Sequence, residues 1–258
     1  MSLRPLASLL CALLASAALA LATPAASAED GALTSRGVDL PPTTGLIVGD
    51  YTHSYETPWT SSRAIERLPE FRSVTIVGIE LGENWIVGDQ RWPMAIQDWG
   101  NVWYRLADGS YVYSAFVFVP RPGETPPLRE HENPDRYVVL SLSEQTAWAM
   151  IGPNVAHQML ISTGKGGFDT PTGPWRVISR ITNERMTSTA PGDSYDVQRV
   201  LFTQYFAPGG FALHLNYWQP YNVFGGYASS HGCVGLLLHD AQWLWLFARE
   251  GTQVFVRE

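Results

Sequence analysis

Short runs in which apolar and polar residues alternate recur along this chain, broken by glycine, asparagine and aspartate. Between Gly45 and Val119 such runs fall at Val74–Ile79, Trp85–Val87, Val102–Leu106 and Tyr111–Val119, separated by Gly82-Glu83-Asn84, Gly88-Asp89 and Ala107-Asp108-Gly109. A period of two, rich in β-branched and aromatic residues and punctuated by turn formers, predicts strands. The spacing predicts a small antiparallel barrel over residues 39–119. Trp92, Trp99 and Trp103 either fill that barrel's core, the commoner fate of such rings, or form a binding face.

Five prolines then fall between Pro120 and Pro134. Proline removes a backbone donor and fixes φ, so this stretch can be neither helix nor central strand. We read residues 120–136 as a semi-rigid linker that holds two domains apart. Strand patterns resume over 137–258. Tyr137–Leu142 and Thr146–Ile151 flank the turn Ser143-Glu144-Gln145, followed by Gln158–Ser162, Trp175–Ile178, Val200–Thr203 and Phe211–Leu215. One helix is expected, with Asp240 as N-cap, an apolar face of Trp243, Leu244, Leu246 and Phe247, and an end at Gly251, before a last strand at Gln253–Val256. The fold class is therefore mainly β: a small barrel followed by a β-rich domain with one clear helix.

The amino terminus changes the picture of where the protein works. Arg4 precedes an apolar run from Leu6 to about Leu21, and Ala26-Ser27-Ala28 supplies a small-x-small cleavage pattern. Residues 1–28 thus read as a signal peptide. The run is short for a membrane span and lacks a basic stop-transfer flank, so no stable span is expected after processing, and the protein is placed in the periplasm or cell wall. Of 17 basic residues Arg4 is lost with the signal, leaving 16 against 24 acidic ones, a formal charge of −8. That balance argues against nucleic-acid binding, which needs a basic face.

Cysteine usage narrows the chemistry. Cys11 departs with the signal, so the exported chain keeps Cys233 alone and can form no internal disulfide. A solitary thiol in an oxidising compartment is either a buried, inert apolar residue or a reactive group. Cys233 closes the tetrapeptide Ser230-His231-Gly232-Cys233, at a turn where backbone can approach a substrate. A reactive thiol needs a base to take its proton and to stabilise the thiolate as an ion pair. Only 25 residues follow Cys233, and His239 is their sole histidine. In papain-like and NlpC/P60-like cysteine peptidases the cysteine comes well before its base, so the base here must lie upstream.

His214, followed by 15 residues and then Ser230-His231-Gly232-Cys233, resembles the signature of the L,D-transpeptidase (YkuD-type) catalytic domain. Ser162-Thr163-Gly164 with Thr170-Pro171-Thr172-Gly173-Pro174-Trp175, and Val138 to Gln145 as an opening hairpin, extend the likeness over residues 137–258. The segment Trp103 to Val112 is similar to the closing hairpin of bacterial SH3-like domains, which implies that the first domain is SH3-like and binds the wall.

The resemblance implies that Cys233 is the nucleophile and His214 the base that also protonates the leaving amine. The Leu215 carbonyl would orient the imidazole. Ser230 and His231 would shape the site, and the backbone N–H groups of Gly232 and Cys233 would meet the oxyanion. Tyr205, Trp218 and Tyr221 are candidates for substrate binding, with Phe224 and Tyr227 able to help cover the thioester. The implied partners are peptidoglycan stem peptides, with no cofactor. One departure stands out: the family usually carries Arg or Asn two residues after the cysteine, and here Gly235 takes that place.

Other readings need weighing. A zinc site from His214, His231, Cys233 and His239 is cramped by the His-x-Cys spacing, so no metal is expected. His53, His131 and His157 have no acidic or thiol neighbours at telling distances in the sequence and read as structural. The same site could instead hydrolyse its thioester, as an L,D-carboxypeptidase, or belong to an inactive wall-binding protein, a reading that only Gly235 supports.

Overall fold

A computed structural model of the chain describes residues 37–85, 97–127, 135–189 and 194–258. The predicted signal peptide with Cys11, and also Trp92 and His131, lie outside the described residues. Among the described residues, sixteen strands and one α-helix carry the fold. The leading strands are β1 (Val38–Ile47), β2 (Tyr51–Tyr55), β3 (Ala64–Pro69), β4 (Ser73–Leu81), β5 (Val102–Leu106), β6 (Tyr111–Tyr113) and β7 (Val117–Phe118). They form one sheet in the order β3-β2-β6-β5-β4-β1-β7. The pleat shows in the burial: along β4, Val74, Ile76 and Gly78 are buried while Ser73 and Thr75 are exposed.

The remaining strands are β8 (Arg136–Ser141), β9 (Thr146–Ile151), β10 (Asn154–Ser162), β11 (Gly173–Arg176), β12 (Ser179–Ser188), β13 (Tyr195–Ala207), β14 (Phe211–Leu215), β15 (Val234–Leu236) and β16 (Gln253–Arg257), with α1 (Leu238–Phe247) preceding the last. They form a nine-stranded sheet ordered β11-β16-β8-β9-β10-β15-β14-β13-β12. The predicted hairpin is present, with Ser141 paired to Thr146 across the turn. Two neighbours run parallel, β16 with β8 and β14 with β15, and the second of these positions the chemistry.

Three expectations need correction. Asp240 does not cap the helix: Leu237 occupies the N-cap position with no side-chain bond, and Asp240 lies inside the first turn. Its carboxylate is instead 2.9 Å from His157 Nε2, so His157, read from sequence as lacking an acidic partner, has one. The helix ends at Phe247, short of Gly251, and is buried all round from Asp240 to Phe247 rather than along one stripe, the pattern of a helix enclosed on every side.

What encloses it explains the third correction: the Pro-rich stretch does not hold the two sheets apart. Val48, Trp103, Tyr113, Phe116 and Phe118 from the first half share one apolar cluster with Phe202, Trp243, Trp245 and Phe247 from the second. Polar bonds fix the seam. Gln242 Nε2 of α1 donates to the carbonyls of Ala115 and Val117 at 2.8 and 3.2 Å, and Trp245 Nε1 donates to Glu70 at 2.7 Å. Glu124, from the Pro-rich stretch itself, meets His239 Nε2 at 2.9 Å. Proline composition reports the backbone's stiffness, not where apolar side chains on either side find partners. Trp103, one of the candidate binding rings, is fully buried here, and Trp99 packs partly buried against the cluster. No helix among the described residues is long and apolar enough to cross a membrane.

Candidate active site

The parallel pair β14 and β15 brings the two chemical groups together. Leu213 is paired with Val234, His214 with Gly235 and Leu215 with Leu236. Paired residues in a sheet share a face, as do alternate residues along a strand. Cys233, two residues before Gly235, therefore stands on the same face as His214. Both line a cavity of about 600 Å³ together with Lys165, Tyr195, Asn216, Trp218 and His231.

The Ser-His-Gly-Cys turn is held by the motifs that accompany it. The N–H groups of Ser229 and Ser230 donate to the Thr163 carbonyl at 2.9 and 3.0 Å, and Lys165 N–H donates to Ser230 O. Thr170 Oγ1 donates to Gly232 O at 2.8 Å while accepting from the Gly164 N–H. Thr163 is clamped in turn by the hairpin residue Gln145, which accepts its N–H at 2.9 Å and donates to its hydroxyl at 2.6 Å. Gly164 cannot be replaced, because a Cβ there would lie 1.9 Å from Phe168 O. Gly232 has φ +111 and sits against Phe211, so both its conformation and its space demand glycine.

The imidazole of His214 is buried, and its Nδ1 is 2.9 Å from Leu215 O. A carbonyl only accepts, so Nδ1 carries the proton and Nε2 presents a lone pair. Trp218 stacks on this ring at 5.5 Å between centroids and 19° between planes. Burial lowers the His214 pKa to about 4, against a smaller opposing effect of the Leu215 bond. Burial also pushes the Cys233 thiol up to about 11, with Glu184 adding to the rise and a backbone bond from Ala212 opposing it. The thiol donates to Gly210 O at 3.5 Å. Burial thus favours the neutral thiol and the neutral imidazole over a thiolate–imidazolium ion pair.

Of the residues singled out from sequence, Cys233, His214, His231, Ser230 and Trp218 line the cavity. The Leu215 carbonyl accepts from His214 Nδ1 at 2.9 Å. Ser230 Oγ donates to Cys233 O and accepts from the Gly232 N–H at 3.1 Å, so this amide, expected to face an oxyanion, is already engaged. Tyr205 and Tyr221 do not line the cavity: their hydroxyls donate to Glu184 at 3.0 Å and Asp98 at 2.7 Å. Phe224 is buried, while Tyr221 and Tyr227 are exposed. His239 pairs with Glu124, away from the thiol. His53 packs edge-on against Tyr51 and Tyr55, beside a second cavity of about 470 Å³ that contains neither the thiol nor the imidazole.

Sequence reasoning missed Asn216 and Gln97. Gln97, from the first half of the chain, is buried and donates through Nε2 to the carbonyls of Asn216 and Gln219, both at 3.2 Å. It thereby grips both ends of the segment that carries Trp218. No local signal marks a glutamine 119 residues away as a support for this loop. Asn216 was within reach, lying two positions after His214, just past the end of β14.

Residues 135–256 match the YkuD family, described as an L,D-transpeptidase catalytic domain. Among solved structures, the chain is similar to a mutant L,D-transpeptidase of Enterococcus faecium, with 24% identity, a TM-score of 0.43 and coverage of 48% of this chain and 50% of that one. It is similar to L,D-transpeptidase 3 of Mycobacterium tuberculosis in complex with a faropenem-derived adduct, with 21% identity, a TM-score of 0.43 and coverage of 82% and 78%. An L,D-transpeptidase from Xylanimonas cellulosilytica matches at 24% identity and a TM-score of 0.40, over 53% of this chain and 66% of that one. The match thus spans about half the length of the Enterococcus protein. Comparison with curated protein sequences yields no match. Residues 135–256 of this chain are an L,D-transpeptidase catalytic domain of the YkuD family.

Proposed function

We propose that the protein is an exported cell-wall acyltransferase that cross-links peptidoglycan stem peptides through a thioester on Cys233. One observation carries the reading: Cys233 and His214 line one cavity, with His214 Nδ1 tied to a carbonyl so that Nε2 is left as the basic nitrogen. The acyl donor is a stem in which an L-configured centre precedes a terminal D-amino acid. As the thiol attacks that carbonyl, its proton passes to His214 Nε2 and the S–C bond forms. The developing oxyanion is met by the Cys233 N–H, since the Gly232 amide serves Ser230. The C–N bond then breaks, His214 protonates the leaving amine, and the D-amino acid departs. An amine of a neighbouring stem, deprotonated by the same imidazole, attacks the thioester; the new C–N bond forms, the C–S bond breaks, and His214 returns the proton to the departing sulfur.

The high thiol and low imidazole pKa values disfavour a preformed ion pair, which ties proton transfer to attack on a bound carbonyl. Charge develops only when a bound carbonyl can share it, so the idle thiol resists oxidation. Water in place of the amine gives L,D-carboxypeptidase activity, while wall binding by the leading sheet is compatible with either outcome. Incubation with purified tetrapeptide stems tests the proposal. D-amino acid release together with dimer formation is expected; release alone identifies hydrolysis, and no release with no mass adduct on Cys233 overturns the reading. A Cys233→Ala protein that still formed the adduct would also refute the assignment.

A further inference from the structure

The place left empty by Gly235 is filled from the neighbouring strand. A Cβ at residue 235 would lie 2.7 Å from Asn216 Nδ2 and 2.9 Å from Asn216 Cβ, so the glycine is what allows the carboxamide to lie over β15. Asn216 follows His214 by two positions, just past the end of β14, and lines the same cavity. Its backbone is fixed from both sides: the N–H donates to Leu236 O at 2.9 Å and the carbonyl accepts from Gln97. The residue is only 2% exposed, yet its Oδ1 has no hydrogen-bond partner among the described residues. A buried acceptor without a donor is unfavourable, and that cost is offset when a ligand N–H arrives.

From this geometry we infer that Asn216 is a substrate-binding residue, whose Oδ1 accepts a hydrogen bond from a backbone amide N–H of the acyl-donor peptide beside the carbonyl that Cys233 attacks. The inference rests on the proposed transpeptidase reading. It assigns the polar recognition expected at residue 235 to residue 216, so Gly235 marks a relocated contact and not a decayed site.

The test is a substrate-side double cycle. Asn216→Leu keeps the volume and removes the acceptor, while Asn216→Asp keeps an acceptor. Each is compared with the wild type on a tetrapeptide stem and on stems N-methylated at single amides. In the wild type, methylation of one amide is expected to raise KM roughly tenfold, the worth of one hydrogen bond. Asn216→Leu should show the raised KM with either stem, and Asn216→Asp should retain the methylation penalty. Gly235→Ala, which displaces the carboxamide without removing a polar atom, should reproduce the higher KM; thermal melts of all variants identify any that misfold. If the wild type releases D-amino acid but Asn216→Leu and Gly235→Ala keep a normal KM, or remain as sensitive to methylation, the inference fails. If the wild type itself releases none, the transpeptidase reading has failed instead.

Discussion

The indole of Trp218 lies nearly flat on the imidazole of His214, 5.5 Å between centroids. The indole packs against one face of the imidazole, and burial is the main cause of the lowered His214 pKa. Trp218→Ala is expected to readmit water and return the His214 pKa from about 4 toward 6.5. The acid limb of the acylation rate then moves to higher pH. A pH–rate profile identical to that of the wild type would show that the indole does not set the base.

The same shift ties stability to pH. A base whose folded-state pKa is depressed binds fewer protons when folded than when unfolded. Acidification from pH 6.5 to about 4 therefore favours unfolding, and stability rises again with pH across that window. The contribution of His214 is on the order of 3 kcal/mol at pH 4. Urea titrations at pH 6.5 and 4.5 should show a smaller drop for His214→Gln than for the wild type; equal drops would exclude His214 as the source.

Thiol chemistry offers an independent reading of the resting state. With Cys233 pushed up to about 11, the unliganded protein should react slowly with iodoacetamide near pH 7, and the rate should climb through pH 9 to 11. Cys233→Ser gives the background. A plateau below pH 8 would mean that a preformed ion pair exists.

Gln97 extends the site into the leading sheet. Gln97→Ala leaves the carbonyls of Asn216 and Gln219 without the donor they now share, at about 1–3 kcal/mol per buried orphan. Lower melting temperature is expected together with a reduced acylation rate, because the segment bearing Trp218 loses its brace. Loss of stability with a normal acylation rate would confine Gln97 to a structural role.

Much of this site was legible because its chemistry is local. The spacing from His214 to Cys233, the opening hairpin and the glycine-bearing segment at 162–175 each appear as short patterns. The structure shows the physical links among them: Gln145 to Thr163, Thr163 to Ser229 and Ser230, Thr170 to Gly232. Illegible features depend on pairings distant in sequence. Asp240 reads as a helix cap until His157 is seen opposite it. The long strand β12 carries polar residues on both faces and β13 buries Thr203 and Gln204, which blurs the alternation that marked shorter strands. A proline run reads as a spacer because its composition says nothing about Glu124 reaching His239.

The three-carbonyl grip of Gln242 on residues 114, 115 and 117 has a consequence for how such a chain can be cut and rejoined. The helix that completes the enzymatic half has no outer surface of its own. Excised, it would present Trp243, Trp245 and Phe247 to water and so invite aggregation. The leading sheet is thus a wall of the same building, and exchanging it for another module would require rewriting the helix as well.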